Sequence, residues 1–308
     1  ISLGLVGSEM CIRDSLKQVT GGFFVQNRIQ LNEKLLLGLG LRFDYRNVDR
    51  GDEFSYKSFS DVSPKINLTF KRDTFSTWNF ALSKGFRSPS LSELFLQYES
   101  DYGLNTQGNP NLEPEQLYGL DISFDRTNKT NLTYSVSTFY YNYKDMIDFV
   151  YGLPVIALNR SDISSNGLET NISYKINRNL DLDLGYTYLR VDDINNVDPI
   201  LYRPKHKFIS SIKHKSKNIS NIISMRYQSK QDYQDFLSDD REYEGSEIKF
   251  PIEQLDSLIL FNYIGTYELN NNHKVSLKIS NLFDKQYELI QDFPMPGRTI
   301  SLMYESTF

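Results

Sequence analysis

Three histidines, His206, His214 and His273, are the whole imidazole complement of this 308-residue chain, and Cys11 is its one thiol. No two histidines stand at the i,i+4 spacing that puts both on one helix face, and none neighbours the cysteine, so the spacing of a zinc site is absent. A hydrolase would need a serine, a positioned histidine and a group to orient that histidine. Here His214 and His273 fall beside short polar links and His206 beside a long one, the places of solvated strand ends. The run Asp192-Asp193-Ile194-Asn195-Asn196-Val197-Asp198 offers hard oxygen ligands of the kind calcium takes. Arg203, however, stands where an EF-hand places its bidentate glutamate, and the run reads as an exposed polar loop. No catalytic centre, metal site or cofactor is expected, and a single cysteine excludes an internal disulfide.

Binding chemistry is better represented. The chain holds 21 Tyr and 20 Phe beside one Trp, yet its mean hydropathy is −0.46, so rings are abundant in an otherwise polar sequence. Residues 228–250 mix Tyr233, Phe236 and Tyr243 with Asp232, Asp235, Asp239, Asp240 and Glu242, and the stretch holding Phe95, Tyr98 and Tyr102 is similarly aromatic. Rings with polar tips capture a planar or partly apolar ligand at low entropic cost, so these six aromatics are candidate ligand contacts. The same residues also suit loops that pack on one another. A net charge of −5 with scattered Lys and Arg gives no basic face for nucleic-acid phosphates.

The elements that must position these residues announce themselves by period-two alternation. From 35 to 46, Leu35, Leu37, Leu39, Leu41, Phe43 and Tyr45 share one face, and Leu36, Gly38, Gly40, Arg42, Asp44 and Arg46 the other. The split recurs in 118–125, 168–176 and 180–188, and more weakly in 219–228 and 274–280. Segments of about ten residues are what a tilted membrane strand needs, roughly twice an ordinary strand. No stretch approaches the ~18 apolar residues of a transmembrane helix. Short polar links near 32–34, 71–74, 126–130, 177–179, 215–218 and 270–272 interleave with long ones near 47–58, 85–114, 144–164, 192–203, 229–252 and 286–297. Strict alternation puts every tight turn on one side of a sheet and every long loop on the other, the pattern of an all-β, antiparallel transmembrane β-barrel. Counting gives roughly thirteen strands, an odd number, so strands from an N-terminal part are expected to be missing. Aromatics gather at strand ends, Tyr45, Tyr140, Tyr141, Tyr143, Tyr188 and Tyr227 toward the long loops and Phe70, Phe75 and Phe308 toward the short turns, which predicts two girdles.

Three blocks carry a resemblance. Gly85-Phe86-Arg87-Ser88-Pro89-Ser90-Leu91-Ser92-Glu93-Leu94-Phe95 is followed by Gly108-Asn109-Pro110-Asn111-Leu112-Glu113-Pro114-Glu115, and later by Asn281-Leu282-Phe283-Asp284-Lys285-Gln286-Tyr287 with Pro296-Gly297-Arg298 and a last strand ending in Phe308. In these blocks and their spacing the chain resembles the TonB-dependent outer-membrane receptors over about residues 20–308. The resemblance implies the C-terminal part of a barrel, about 13 of 22 strands, in the outer membrane of a Gram-negative bacterium. It implies a receptor and transporter, not an enzyme, that takes up a scarce nutrient, first a ferric siderophore and next cobalamin. The partners it implies are TonB with its inner-membrane energising complex, acting through a plug domain not seen here, outer-membrane lipid and lipopolysaccharide, and the barrel assembly machinery, for which Phe308 would be the signal. Arg42, Asp44 and Arg46 would face the lumen and dock the plug. A passive porin or structural barrel is the alternative. Residues 1–15 lack the basic and apolar regions of a signal peptide and resemble a translated sequencing adapter, so they are set aside as a non-native leader, with 16–308 as the barrel segment.

Overall fold

Alternating side chains keep a segment extended when its two faces meet different media, and each alternating segment is a strand in the computed structural model. The structure describes residues 17–49, 56–99, 105–127, 131–150, 154–159, 162–194, 200–244 and 247–307. The long strands are β1 (Lys17–Asn32), β2 (Leu35–Asp49), β3 (Tyr56–Asp73), β4 (Ser76–Arg87), β5 (Glu115–Thr127), β6 (Leu132–Lys144) and β7 (Ile163–Asn177). They continue as β8 (Leu180–Asp193), β9 (His206–Ser216), β10 (Ile219–Gln228), β11 (Leu258–Asn270), β12 (His273–Ser280) and β13 (Thr299–Ser306). All thirteen join one antiparallel sheet in chain order, the number counted from the sequence. β1 and β13 are its edges, paired among the described residues only with β2 and β12. Edge N–H and C=O groups in hydrocarbon cost several kcal/mol each, so in a bilayer both edges must find partners.

Cross-strand partners share a face, and the registers separate the two media row by row. Thr69, Asn79, Ser123, Ser137, Glu169, Thr187 and Lys207 form one continuous polar row. The adjacent row on the opposite face reads Leu68, Phe80, Ile122, Thr138, Leu168 and Tyr188. Arg42, Asp44 and Arg46 lie on the polar face, whereas Leu39, Leu41, Phe43 and Tyr45 are exposed on the apolar one. The short-turn girdle is present: Phe70 pairs with Trp78, whose ring lies 4.7 Å from Phe124, itself 5.9 Å from Tyr134. The long-loop girdle needs correction. Tyr45, Tyr140, Tyr188 and Tyr227 share the apolar face, but Tyr141 and Tyr143 pair into the polar one, because successive strand residues point opposite ways. Tyr141 donates instead to Asp121 at 2.5 Å. Phe308 lies outside the described residues.

Four of the short turns are closed by their own sequence, and residues 128–130 of the 126–130 turn lie outside the described residues. Asn32, Asp73, Asn177 and Asn270 accept the backbone N–H two residues on, at 2.9, 2.8, 2.9 and 2.9 Å, the Asx-turn chemistry that makes these residues turn formers. The carbonyls of Lys34, Phe75, Asn179, Asn218 and Asn272 then accept an N–H from the next strand along, stitching that rim together. The opposite rim differs in kind. There the loops carry a helix, α1 (Leu91–Phe95), and a four-stranded sheet of 97–98, 106–107, 147–150 and 155–159. The buried apolar cluster among the described residues sits at this rim, where Val48 and Phe59, from the loop-side ends of β2 and β3, meet Leu94, Phe95, Leu112, Ile147 and Ala157 of the loops.

Candidate functional site

The loop rim is organised around Arg87, the last residue of β4. Helix α1 begins with a capping box: Ser90 Oγ accepts the Glu93 N–H at 3.2 Å, and the Glu93 carboxylate accepts the Ser90 N–H at 2.6 Å. That places Glu93 within reach of Arg87, whose Nη1 lies 2.9 Å from Oε2. The other side of the guanidinium forks onto Glu115, Nε and Nη2 each donating at 2.5 Å, the bidentate geometry that suits arginine. Glu115 Oε1 also accepts the Ile147 N–H at 2.8 Å. One cation thus ties the ends of β4 and β5, the helix and the loop after β6. Burial pushes the Glu93 carboxyl up, but the bonds from Arg87 and Ser90 outweigh it and hold its pKa below the ordinary value.

The second sequence block packs on the first. A Cβ at Gly108 would stand 2.6–2.7 Å from backbone atoms of Leu94, Phe95 and Leu96, so only glycine fits. Gly108 and Asn109 donate to the carbonyls of Leu96 and Glu93 at 2.6 and 2.8 Å. Lys57 Nζ donates to the carbonyls of Pro110 and Leu112, and Asn159 Nδ2 to those of Glu113 and Asp145. Arg87, Glu93, Glu115 and Asn159 are residues whose fastening role the sequence reading did not identify. The first three did belong to the motif blocks, which is the signal that could have found them.

The six aromatic candidates separate. Phe95 is 7% exposed within the cluster, and Tyr233 is 5% exposed. Tyr233 donates to Glu253 at 2.8 Å, a bond that pushes its pKa up to about 12. These two rings support the loops. Tyr98 at 58% and Tyr243 at 69% face solvent, and Phe236 at 39% meets Phe250 edge-on at 5.1 Å. Tyr98 lines a cleft of about 450 Å³ with Gln97, Glu99, Asn105, Thr106, Gln107 and Pro154. Tyr102 lies outside the described residues.

On the polar face Arg42 forks onto Asp44 at 2.7 Å. Arg46 donates to Ser88 Oγ at 2.9 Å, the Pro89 carbonyl at 2.6 Å and Gln18 Oε1 at 2.8 Å, so it binds the wall to the start of the loop. Arg42, Arg46 and Arg87 share a cleft of about 520 Å³. His206 and His273 pair through Nδ1 with the hydroxyls of Tyr186 and Tyr304, at 2.9 and 2.6 Å. The acidic run 192–198 is described only to Ile194, and among the described residues no three His, Cys, Asp or Glu gather as a metal site.

Comparison with known proteins places this arrangement. Residues 6–282 match the family model described as TonB dependent receptor-like, beta-barrel. The chain is 22% identical over 282 residues to the iron-regulated outer membrane virulence protein of Vibrio cholerae serotype O1, covering 85% of this chain and 40% of that protein. Among solved structures, the copper transporter OprC superposes with a TM-score of 0.80 at 20% identity, over 95% of this chain and 48% of that one. The siderophore receptor PirA from Acinetobacter baumannii gives 0.75 at 17%, over 94% and 46%. A mutant ferric enterobactin receptor, PfeA, from Pseudomonas aeruginosa gives 0.76 at 18%, over 94% and 45%. The chain spans less than half the length of these relatives. At such identities the structural likeness is one of fold.

Proposed function

Because this chain belongs to the TonB-dependent receptor family and forms part of that family's outer-membrane β-barrel, we propose that it is the barrel segment of a receptor for energised uptake of a ferric siderophore. The family match over residues 6–282 carries the reading. An iron-linked cargo is favoured by the relatives' names, which speak of iron regulation, a siderophore receptor and a ferric enterobactin receptor. Cobalamin stands second and has no such support. Tyr98, Phe236 and Tyr243 are the proposed ligand contacts among the described residues, on a rim held by its own buried cluster and by the ion pairs of Arg87. Rim contacts that fix the loops reduce the ordering cost of binding.

In this reading the remaining strands and a plug come from the rest of the receptor. Arg42, with Asp44, faces the plug, TonB pulls on that plug, and Phe308 serves barrel assembly. The test is growth under iron limitation of a strain lacking the complete gene, fed ferric siderophores or cobalamin in turn. Loss of growth on one siderophore, restored by the gene only when TonB is intact, is the expected result. Uptake that persists without TonB would make the protein a passive porin, and a defect confined to cobalamin would reassign the cargo.

A further inference from the structure

Among the described residues the wall has one break well inside its edges, between β3 and β4. β3 and β4 pair from Asp73↔Ser76 to Lys65↔Ser83 and no further, although β3 runs on beside β2 to Tyr56 and β4 beside β5 to Arg87. Pro64 stands at the break and has no N–H with which to continue the ladder. Lys84 spans the opening to Asp61 at 2.5 Å, with both side chains largely buried, so the charges at the break neutralise one another. On the apolar face the break opens into a notch of about 380 Å³ walled by Pro64, Ile66, Leu82, Tyr118, Leu120 and Tyr140, and by Lys84, whose ammonium is held by Asp61. Ser83 and Gly119 form its floor, where small residues leave depth.

The notch has a polar end as well. Gln116, Tyr118, Asn142 and Lys144 share the apolar face at the end of β5 and β6 nearest the long loops. Tyr118 donates its hydroxyl to Gln116 at 2.8 Å, and the exposed Lys144 ammonium lies 6.0 Å over the Tyr118 ring. In an outer-membrane barrel the long loops are extracellular, so this end sits at the headgroup level of the outer leaflet. We propose that the notch seats one acyl chain of a phosphorylated outer-leaflet glycolipid, with Lys144 and the Tyr118–Gln116 pair receiving its phosphate.

Lipid tails are as apolar as the notch, so burial alone gives no preference for one lipid over another. Selectivity must come from the shape of the break and from the cation at its mouth, worth roughly fivefold in affinity for an anionic surface. The inference rests on the outer-membrane placement and not on the cargo.

The experiment uses the complete receptor, extracted from outer membranes in mild detergent, with retained glycolipid measured by its 3-hydroxy acyl chains and retained phospholipid by its glycerol. Leu82→Trp fills the notch, Lys144→Glu reverses its mouth, and Ile223→Trp adds the same bulk elsewhere on the apolar face. Heat-modifiable migration reports folding, and Lys144→Gln serves if the reversal folds poorly. Stoichiometric glycolipid in the wild type and in Ile223→Trp, falling roughly fivefold or more in the notch and mouth variants with nutrient uptake unchanged, is the expected result. Equal retention in all variants, or retention of phospholipid in place of glycolipid, would overturn the proposal.

Discussion

At the short-turn rim, Asn32, Asp73, Asn177 and Asn270 each close their own turn by a bond to the N–H two residues on. At the long-loop rim, Arg87 reaches Glu93 six residues away and Glu115 twenty-eight away, and Asn159 reaches Glu113 across 46. The first rim is assembled from local bonds that repeat, so losing one leaves the rest intact. The second is a small folded unit with one core and one central cation, so its parts stand or fall together. A receptor needs both: a wall indifferent to single defects in the bilayer, and a rim stiff enough to present Tyr98 and its neighbours.

The sharpest way to break the comparison is Gly108→Val. Its Cβ would meet backbone that cannot step aside, at a cost of about 3 kcal/mol or more. Hydrogen exchange should rise across 88–114 while the melting of the wall stays put. If the wall melts too, the rim is not a separate unit. Ile223→Arg, on the exposed apolar face, should cost about 2–4 kcal/mol in refolding into bilayers. The adjacent Ser224→Arg, on the polar face, should be nearly neutral. Equal costs would refute the assignment of faces.

Arg87→Ala strands two carboxylates that are mostly buried, although the arginine itself is half exposed and screened. About 2 kcal/mol is expected, seen as protease cleavage within 88–114. Arg87→Lys should restore only part, because an ammonium cannot fork. The same contact sets a pH dependence. Since the folded Glu93 pKa is depressed, its contribution is fully present above the ordinary value of 4.5 and disappears as pH falls below that through the depressed pKa. Loop cleavage by an acid-active protease should therefore rise below pH 4.5 in the wild type, and Glu93→Gln should flatten that rise. The smallest effect belongs to the other rim: Asn270→Ala removes one turn bond and should lower stability by about 1 kcal/mol, with neighbouring turns unaltered.

What could be read without coordinates follows the same division. Thirteen strands, the side of nearly every wall residue and the positions of the tight turns were set by the sequence alone. Period-two alternation and Asx chemistry are short-range, and each strand meets the same two media. The misplaced Tyr141 and Tyr143 show the limit: grouping rings by height along a strand ignored the alternation that turns Tyr140 outward and Tyr141 inward. The rim was legible only as motif blocks. That Phe95 and Tyr233 are buried supports, that Tyr98 and Tyr243 remain outside, and that Arg87 is the centre were decided by tertiary structure. Contacts between loops far apart in sequence have no period to announce them. A ring's polar tip does not say whether the fold will turn it toward solvent or toward a partner such as Glu253.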